Sequence, residues 1–361
     1  MPNNEVQKRR GKLPSIEVVD LFCGIGGLSF GMKSKDFKIL AGFDLDWTCQ
    51  YAYETNNKAK FIYKDIRQVT KGDIMPLYSN NSIRVLAGCA PCQPFSSYAF
   101  KNKNKDKNKY NLLYEFGRLV KDVQPDVVTM ENVPAITSFK LQSVLGDFVE
   151  TLRSENYHVS YHVVYCPDYG IPQTRKRLVL LASRLGDIEL ISPTHKKEEY
   201  VTVKDAIGNL PKLEAGETCS TDPLHRCRTL SALNMQRIMA TPYGGSWKDW
   251  PEELRLECHK KDGGKSFGSV YGRMVWEEPA PTMTTECTGI GNGRFGHPEQ
   301  NRAISAREAA LIQTFPATYR FFPDEQEVSL AKASRYIGNA VPPRLGEVIA
   351  ESIIQHIRNN K

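Results

Sequence analysis

A largely apolar run from Ile16 to Phe22 that ends in Gly24-Ile-Gly-Gly27, with a helix-compatible stretch from Leu28, is the strongest constraint on the fold. A strand that passes through a glycine turn into a helix belongs to a sheet whose helices cover its faces. The pattern repeats: Phe37 to Phe43 leads into Asp44-Leu-Asp46-Trp47 and a helical stretch through Tyr53. Ile83 to Ala87 and Val127 to Met130 read as strands, while Asn111 to Val123 and Phe139 to Leu152 carry apolar residues at helical spacing. Tyr157 to Tyr165 and Arg177 to Ala182 read as further strands, joined by the turn-rich Pro167-Asp-Tyr-Gly170-Ile-Pro172. The alternation predicts an α/β fold: a mainly parallel, mixed sheet with helices on both faces.

Character changes near Ile191. From there to about Gln300 the chain is rich in Gly, Pro, Thr and Trp with weak periodicity, which predicts a smaller irregular domain. Regular structure returns in a helical Ser305 to Thr314, then Ile337-Gly-Asn-Ala-Val-Pro-Pro343 and a closing helix to Arg358. The expected divisions are a basic flexible tail at 1–12, a first domain at 13–190, the irregular domain at 191–322, and a segment at 323–361 that returns to the first domain.

Charge is informative once located. The net +7 resides in two stretches: residues 1–12, at +3, and residues 101–109, at +4, where Lys101, Lys103, Lys105, Lys107 and Lys109 alternate with polar residues. The irregular region holds 14 Lys and Arg against 15 Asp and Glu, so a uniformly basic surface is excluded. Either basic stretch is a solvated segment or a partner for phosphates. Nine scattered cysteines do not form a disulfide framework and predict a reducing compartment. With no apolar run of membrane length and no secretory h-region, a cytoplasmic location is expected.

Two loci carry chemistry. At the first glycine turn, Gly24, Gly26 and Gly27 admit close approach of a ligand to the backbone, and an acid about 20 positions on is placed for ribose hydroxyls. Asp44 and Asp46 both qualify, with Trp47 beside them for an adenine ring and Asp65-Ile66 at the same sheet edge. The spacing departs from the dinucleotide fingerprint, favouring a nucleoside cofactor without a pyrophosphate; the alternative is a plain glycine turn. The second locus, Gly88-Cys-Ala-Pro-Cys92-Gln-Pro-Phe-Ser96, follows a strand directly. It reads as a thioredoxin-like pair, as half of a zinc site lacking its partner pair, or as a single nucleophile, Cys92.

Six segments then occur in a telling order: Asp20-Leu-Phe-Cys-Gly-Ile-Gly-Gly27, Pro91-Cys-Gln93, Glu131-Asn-Val133, Gln173-Thr-Arg-Lys-Arg177, Arg307-Glu-Ala-Ala-Leu-Ile-Gln-Thr-Phe-Pro316 and Gly338-Asn-Ala-Val-Pro-Pro343. Together they resemble the ordered motifs of the DNA cytosine-5 methyltransferases, bacterial restriction-modification type, from about residue 16 to 350. One departure is Cys89, where a glycine is usual in that family.

The resemblance implies a Rossmann-like catalytic domain, a target-recognition domain at 191–322, S-adenosylmethionine as cofactor and no metal. It implies Cys92 as nucleophile, Glu131 as the group that holds a proton at cytosine N3, and Arg175 and Arg177 at the target base and its phosphate. By position, Asp20, Phe22, Gly24, Ile25, Gly26, Gly27, Pro91, Leu112, Asn339 and Ala340 would line the cofactor pocket. Phe22 and Trp47 would flank the adenine, Asp46 would hold the ribose, and Asp65 with Ile66 would meet the adenine edge.

The partner implied is duplex DNA, whose target base must leave the stack for chemistry to reach it. Ser96, Lys101, Lys103 and Lys105 would contact DNA from the stretch Phe95 to Tyr110, with Gln173 beside them. Arg226, Arg228, Arg273 and Arg294 are candidate base readers, since Arg pairs well with guanine edges. The chain is expected to act as a monomer, paired in function with a restriction endonuclease without stable contact. A tRNA-methylating relative is the rival; the Cys-Phe-Thr signature of that branch is absent from this sequence.

Overall fold

The computed structural model describes residues 14–91, 111–138, 142–261 and 267–360. Its frame is a seven-stranded sheet: β1 (Ile16–Leu21), β2 (Lys38–Asp44), β3 (Lys60–Tyr63), β4 (Ile83–Gly88), β5 (Val127–Asn132), β6 (His158–Tyr165) and β7 (Lys176–Ser183). The order is β3-β2-β1-β4-β5-β7-β6. β3, β2, β1, β4 and β5 pair in parallel, whereas β7 runs antiparallel to both β5 and β6. The sheet is therefore mixed, as the sequence predicts, and the strand order reverses between β1 and β4, where open α/β sheets form ligand crevices.

Alternation along the strands feeds two cores. Val18, Val85, Ala87, Val179 and Leu181 face one side. Val19, Leu21, Leu86, Val128, Leu178 and Leu180 face the other. A period of two with both faces buried explains the near-continuous apolar strands. The first face is covered by α1 (Gly27–Lys33), by α2 (Gln50–Asn57) and by helices from the chain end; the second by α3 (Lys71–Ile74), α4 (Asn111–Val123) and α5 (Gln142–Ser154). No helix among the described residues is long and apolar enough to cross a membrane.

After β7 the elements shorten: α6 (Val203–Ile207), β8 (Thr218–Cys219), β9 (Asp222–Arg226), α7 (Ala232–Ala240) and α8 (Glu257–Lys260). A small separate core of Ile238, Ile290 and Ala303 forms here. Then follow α9 (Ala306–Ile312), α10 (Leu330–Asn339) and α11 (Pro343–Asn359). α9 starts on a capping box between Ser305 and Glu308, and the Glu308 carboxylate also takes a fully buried, bidentate Arg302, both contacts at 2.7 Å. Beyond residue 305, Ala309, Phe315, Tyr319 and Phe321 pack in the larger core, as do Val203, Leu224 and Phe295 of the irregular region, and the Tyr319 hydroxyl donates to the Ile25 carbonyl. The apolar periodicity of α9 is visible in the sequence, but which core it faces depends on this distant docking.

Candidate active site

One cavity of about 570 Å³ opens at the C-terminal edge of the parallel strands, within the range of small-molecule sites. Asp20 of β1 and Phe22 just after it, Asp44 of β2, Cys89, Ala90 and Pro91 directly after β4, and Glu131 of β5 are all on its wall. Phe22 has φ 58, a left-handed backbone rare for an aromatic residue, at the point where the chain leaves β1 for the glycine turn.

The glycines divide their work. A Cβ at Gly24 would meet nothing within 4 Å, and this residue faces the cavity. Gly26, expected at the ligand, is absent from the lining; its φ of 87 makes the turn, and a Cβ there would lie 2.2 Å from Asn57 Nδ2. Gly27 lines the cavity, yet its lack of a side chain also admits the Val341 carbonyl, which a Cβ would meet at 2.2 Å.

The carboxylates differ in their partners. Asp20 accepts from Ser29 Oγ at 2.6 Å and is 1% exposed. Burial, with the nearby Asp44 charge adding to it, pushes its pKa up to about 7 against the Ser29 hydrogen bond. Asp44 accepts from Gly24 N at 2.7 Å and Asp46 N at 2.8 Å, and burial raises its pKa also. Asp46 lies in a different setting: burial acts to raise its pKa, but Thr48 and the Arg335 guanidinium, 2.6 Å away, hold it below the usual range. Asp65 is likewise held low, by hydrogen bonds from Arg67.

Asp46 lines the cavity as expected, its carboxylate bonded to Thr48 and Arg335, while Trp47 beside it is 64% exposed and outside the lining. Asp44 and Leu45 stand on the wall as well, with both Asp44 oxygens accepting backbone hydrogen bonds. Ile25, Asp65, Ile66, Leu112, Asn339 and Ala340 line the cavity where expected. Cys49, Arg335, Tyr336 and Val341 also line it and are not among the residues the sequence singles out. The last three flank the Gly338-Asn339 motif, and that adjacency is the one local signal that points to them.

At the other end, Glu131 Oε1 lies 2.7 Å from Arg177 Nε, close enough for strong attraction but off the line of a hydrogen bond. Arg175 is 2% exposed and donates to the carbonyls of Met283, Gly338 and Ala340. Burial, then the adjacent Arg177 charge, pushes its pKa down to about 9, so it remains cationic at neutral pH. Its Nε has no hydrogen-bond partner among the described residues. Cys92, Ser96, Lys101, Lys103 and Lys105 lie outside the described residues.

The residues assigned to DNA fall into two groups. Gln173 is fully buried, bonded to Gln313 Oε1 at 2.5 Å and accepting from Met283 N at 2.7 Å. Arg273, expected as a base reader, is 5% exposed and donates to the carbonyls of Thr241, His297, Gln300 and Ile238 and to Asn301. A guanidinium so enclosed cannot reach a base edge, and it cross-links loops instead. Arg294 Nη1 is similarly turned to the Gly245 and Arg273 carbonyls. Arg226 pairs with Glu327, and Arg228 with Thr288 and Glu286, but both remain partly exposed. Among the described residues no cluster of three His, Cys, Asp or Glu could hold a metal.

The family model for C-5 cytosine-specific DNA methylase matches residues 16–355. The chain is 52% identical to the Type II methylase M.HgiDII of Herpetosiphon aurantiacus, over 93% of this chain and 94% of that protein. It is 29% identical to the Type II methyltransferase M1.HphI of Haemophilus parahaemolyticus, over 94% of this chain and 87% of the other. In fold it is similar to a protein described as a DNA modification methyltransferase of an E. coli prophage, with TM-score 0.72 and 23% identity over 94% of this chain and 99% of that one. The S. pombe Dnmt2 methyltransferase shares the fold at TM-score 0.62 and 16% identity, over 94% and 99% of the two chains. With its sheet, its cavity and its ordered motifs, the chain belongs to the C-5 cytosine-specific DNA methylase family.

Proposed function

We propose that the chain methylates carbon 5 of a cytosine swung out of duplex DNA, through a transient bond between Cys92 and cytosine C6. The observation that supports this best is the layout of the cavity. A carboxylate-rich floor lies at one end, Glu131 with Arg177 and Arg175 lie at the other, and Pro91, the residue before Cys92, is on the wall between them.

The donor set fits S-adenosylmethionine: a cavity of suitable volume, carboxylates for hydroxyl and cationic groups, and an open glycine edge. When bound, that cofactor supplies an electrophilic methyl group on a sulfonium. In this reading Asp46 holds the ribose, Phe22 and Trp47 flank the adenine, and Asp65, steadied by Arg67, meets its edge with Ile66.

The protein's own residues make C5 reactive. C5 of a neutral cytosine is a poor nucleophile; addition of a thiolate at C6 converts the ring into an enamine. Glu131 holds a proton at N3 during that addition, and Arg177 orients Glu131. The positive charge of Arg175 and Arg177 favours the thiolate form of Cys92, only a few per cent of which is present in an unassisted cysteine. Methylation leaves one proton on C5; its removal, by water or a nearby base, restores the ring and expels Cys92.

Residues 191–322 serve as the recognition unit, with the partly exposed Arg226 and Arg228 as its candidate DNA contacts. The lysines of 101–109 meet phosphates, and replacing all five by Gln should weaken DNA binding and lower its salt slope, by about one unit of slope for each phosphate no longer neutralised. An unchanged slope removes this stretch from the DNA surface. The protein acts as a monomer in the cytoplasm, as the modification partner of an endonuclease that it does not bind stably.

Tritiated methyl transfer to duplex DNA and to tRNA tests the substrate class. Incorporation into DNA alone is expected; incorporation into tRNA alone contradicts the proposal.

The cavity floor gives a second test. Asp20 keeps a proton in the folded chain up to a pKa of about 7, against an unfolded value near 3.8. The unfolded chain releases that proton first, so stability from this group is complete below about pH 4, declines as pH rises to about 7, and is then flat. The shift corresponds to a penalty on the order of 4 kcal/mol at pH 8. Asp20→Asn should therefore raise the Tm of the ligand-free protein at pH 8 and remove this slope. The same change should weaken binding of the cationic cofactor, on the order of tenfold. A variant that is neither more stable nor weaker in binding contradicts the role given to Asp20.

A further inference from the structure

We infer that Arg335 is a cofactor-positioning residue, a clasp that fixes one wall of the cavity by bridging α10 to the loop after β2. The inference rests on the cofactor reading above and concerns what holds that site in shape.

Arg335 and Asp46 are 289 positions apart, yet both line the cavity. Arg335 Nη1 is 2.6 Å from Asp46 Oδ2 and its Nη2 donates to Thr48 Oγ1 at 3.0 Å. Asp46 meanwhile accepts from Thr48 N at 3.2 Å and Thr48 Oγ1 at 2.5 Å, so the loop is tied to itself and to the helix through the same carboxylate. The next residue, Tyr336, donates from its hydroxyl to the Thr48 carbonyl at 2.8 Å, and the Arg335 guanidinium lies 5.2 Å from the Tyr336 ring centre. Two adjacent residues of one helix thereby grip both ends of a three-residue stretch of the loop.

The loop they grip follows directly on Asp44 and Leu45. Asp46 lines the cavity itself and its N–H bonds Asp44, so any drift of Asp46 moves two carboxylates of the wall. The C-terminal end of α10, about one turn beyond Arg335, is fixed independently by Arg175 on the Gly338 and Ala340 carbonyls. The C-terminal half of the helix is thus held by a buried arginine that reaches its last carbonyls and by a half-exposed arginine of its own. Only the second is open to solvent: the Arg335 and Asp46 side chains are 43% and 31% exposed. An ion pair so placed is sensitive to salt and contributes modestly, as a tuning element rather than a structural anchor.

Calorimetric binding of S-adenosylhomocysteine, in the absence of DNA, reads this without any dependence on turnover. Arg335→Met should weaken binding about three- to tenfold, and Arg335→Lys should recover most of it. Raising salt should weaken binding to the wild type and leave Arg335→Met unaffected. In turnover, the KM for S-adenosylmethionine should rise in Arg335→Met while kcat and the KM for DNA stay within about twofold. Equal affinity in wild type and Arg335→Met overturns the inference and leaves the cofactor reading standing. No binding to the wild type overturns both. A parallel loss of Tm, cofactor affinity and DNA affinity in both variants makes Arg335 a scaffold residue and also overturns it.

Discussion

Replacing Cys92 by Ala should lower methyl transfer to DNA at least ten-thousandfold, roughly the scale seen when a nucleophile that acts in concert with its neighbours is removed. The loss should fall on the chemical step, because the thiol is the group that creates the enamine. Binding of S-adenosylhomocysteine should stay within about threefold of the wild type, since the cofactor end of the cavity is built from other strands. Cys92→Ser should behave almost as badly: an alcohol is far harder to ionise than a thiol, and the arginine charges cannot make up the difference. Single-turnover rates with duplex DNA decide this. Residual activity within a hundredfold of wild type would mean that C5 is activated in another way, with Cys89 as the first group to examine.

Glu131→Gln should cost about a hundredfold to ten-thousandfold in the same rate, the usual range for a positioned acid or base. The geometry specifies why. Glu131 is 7% exposed, and its Oε1 faces Arg177 at 2.7 Å without a well-aligned hydrogen bond. A Gln keeps the shape but can neither supply the N3 proton nor balance the Arg177 charge, which is itself 12% exposed. An unbalanced charge in such a place also lowers stability, by up to about 3–5 kcal/mol for a fully buried pair. The variant should therefore show a lower Tm as well as a slower step. A rate within tenfold of wild type removes Glu131 from the chemistry, whatever happens to the Tm.

Much of the frame is legible in the amino-acid sequence alone. The strands β1, β2, β4 and β5 announce themselves because both faces of the sheet are buried there, so each reads as an apolar run, whereas the short edge strand β3 does not. Asn111 to Val123 is legible as a helix with its full bounds, from apolar spacing alone. The glycine turn and Glu131 stand out because a backbone bend and a lone acid at a strand end leave local marks.

What stays hidden depends on contacts remote in sequence. The pairing of Asp46 with Arg335 is one such contact, since no local pattern connects the two. Arg273 and Arg294 look like free cations in a loop-rich region, but loops without ladders of their own leave many carbonyls unsatisfied. Guanidinium groups with several donors fill that need, and these two are drawn inward to do so. Glycine marks a bend without saying which side of the bend needs the space, and at Gly26 it is the side chain of Asn57 that a Cβ would meet.

The central claim is that a sulfur atom of this chain bonds reversibly to the target base. A duplex carrying 5-fluorocytosine at the methylation site tests it directly, because fluorine cannot leave as the proton does and the adduct cannot resolve. With S-adenosylmethionine present, the account predicts a protein–DNA complex that survives denaturant, forms one to one, maps by peptide analysis to Cys92, and is lost in Cys92→Ala. If cofactor and duplex both bind and no such complex forms, or if the attachment maps to another residue, the account is contradicted.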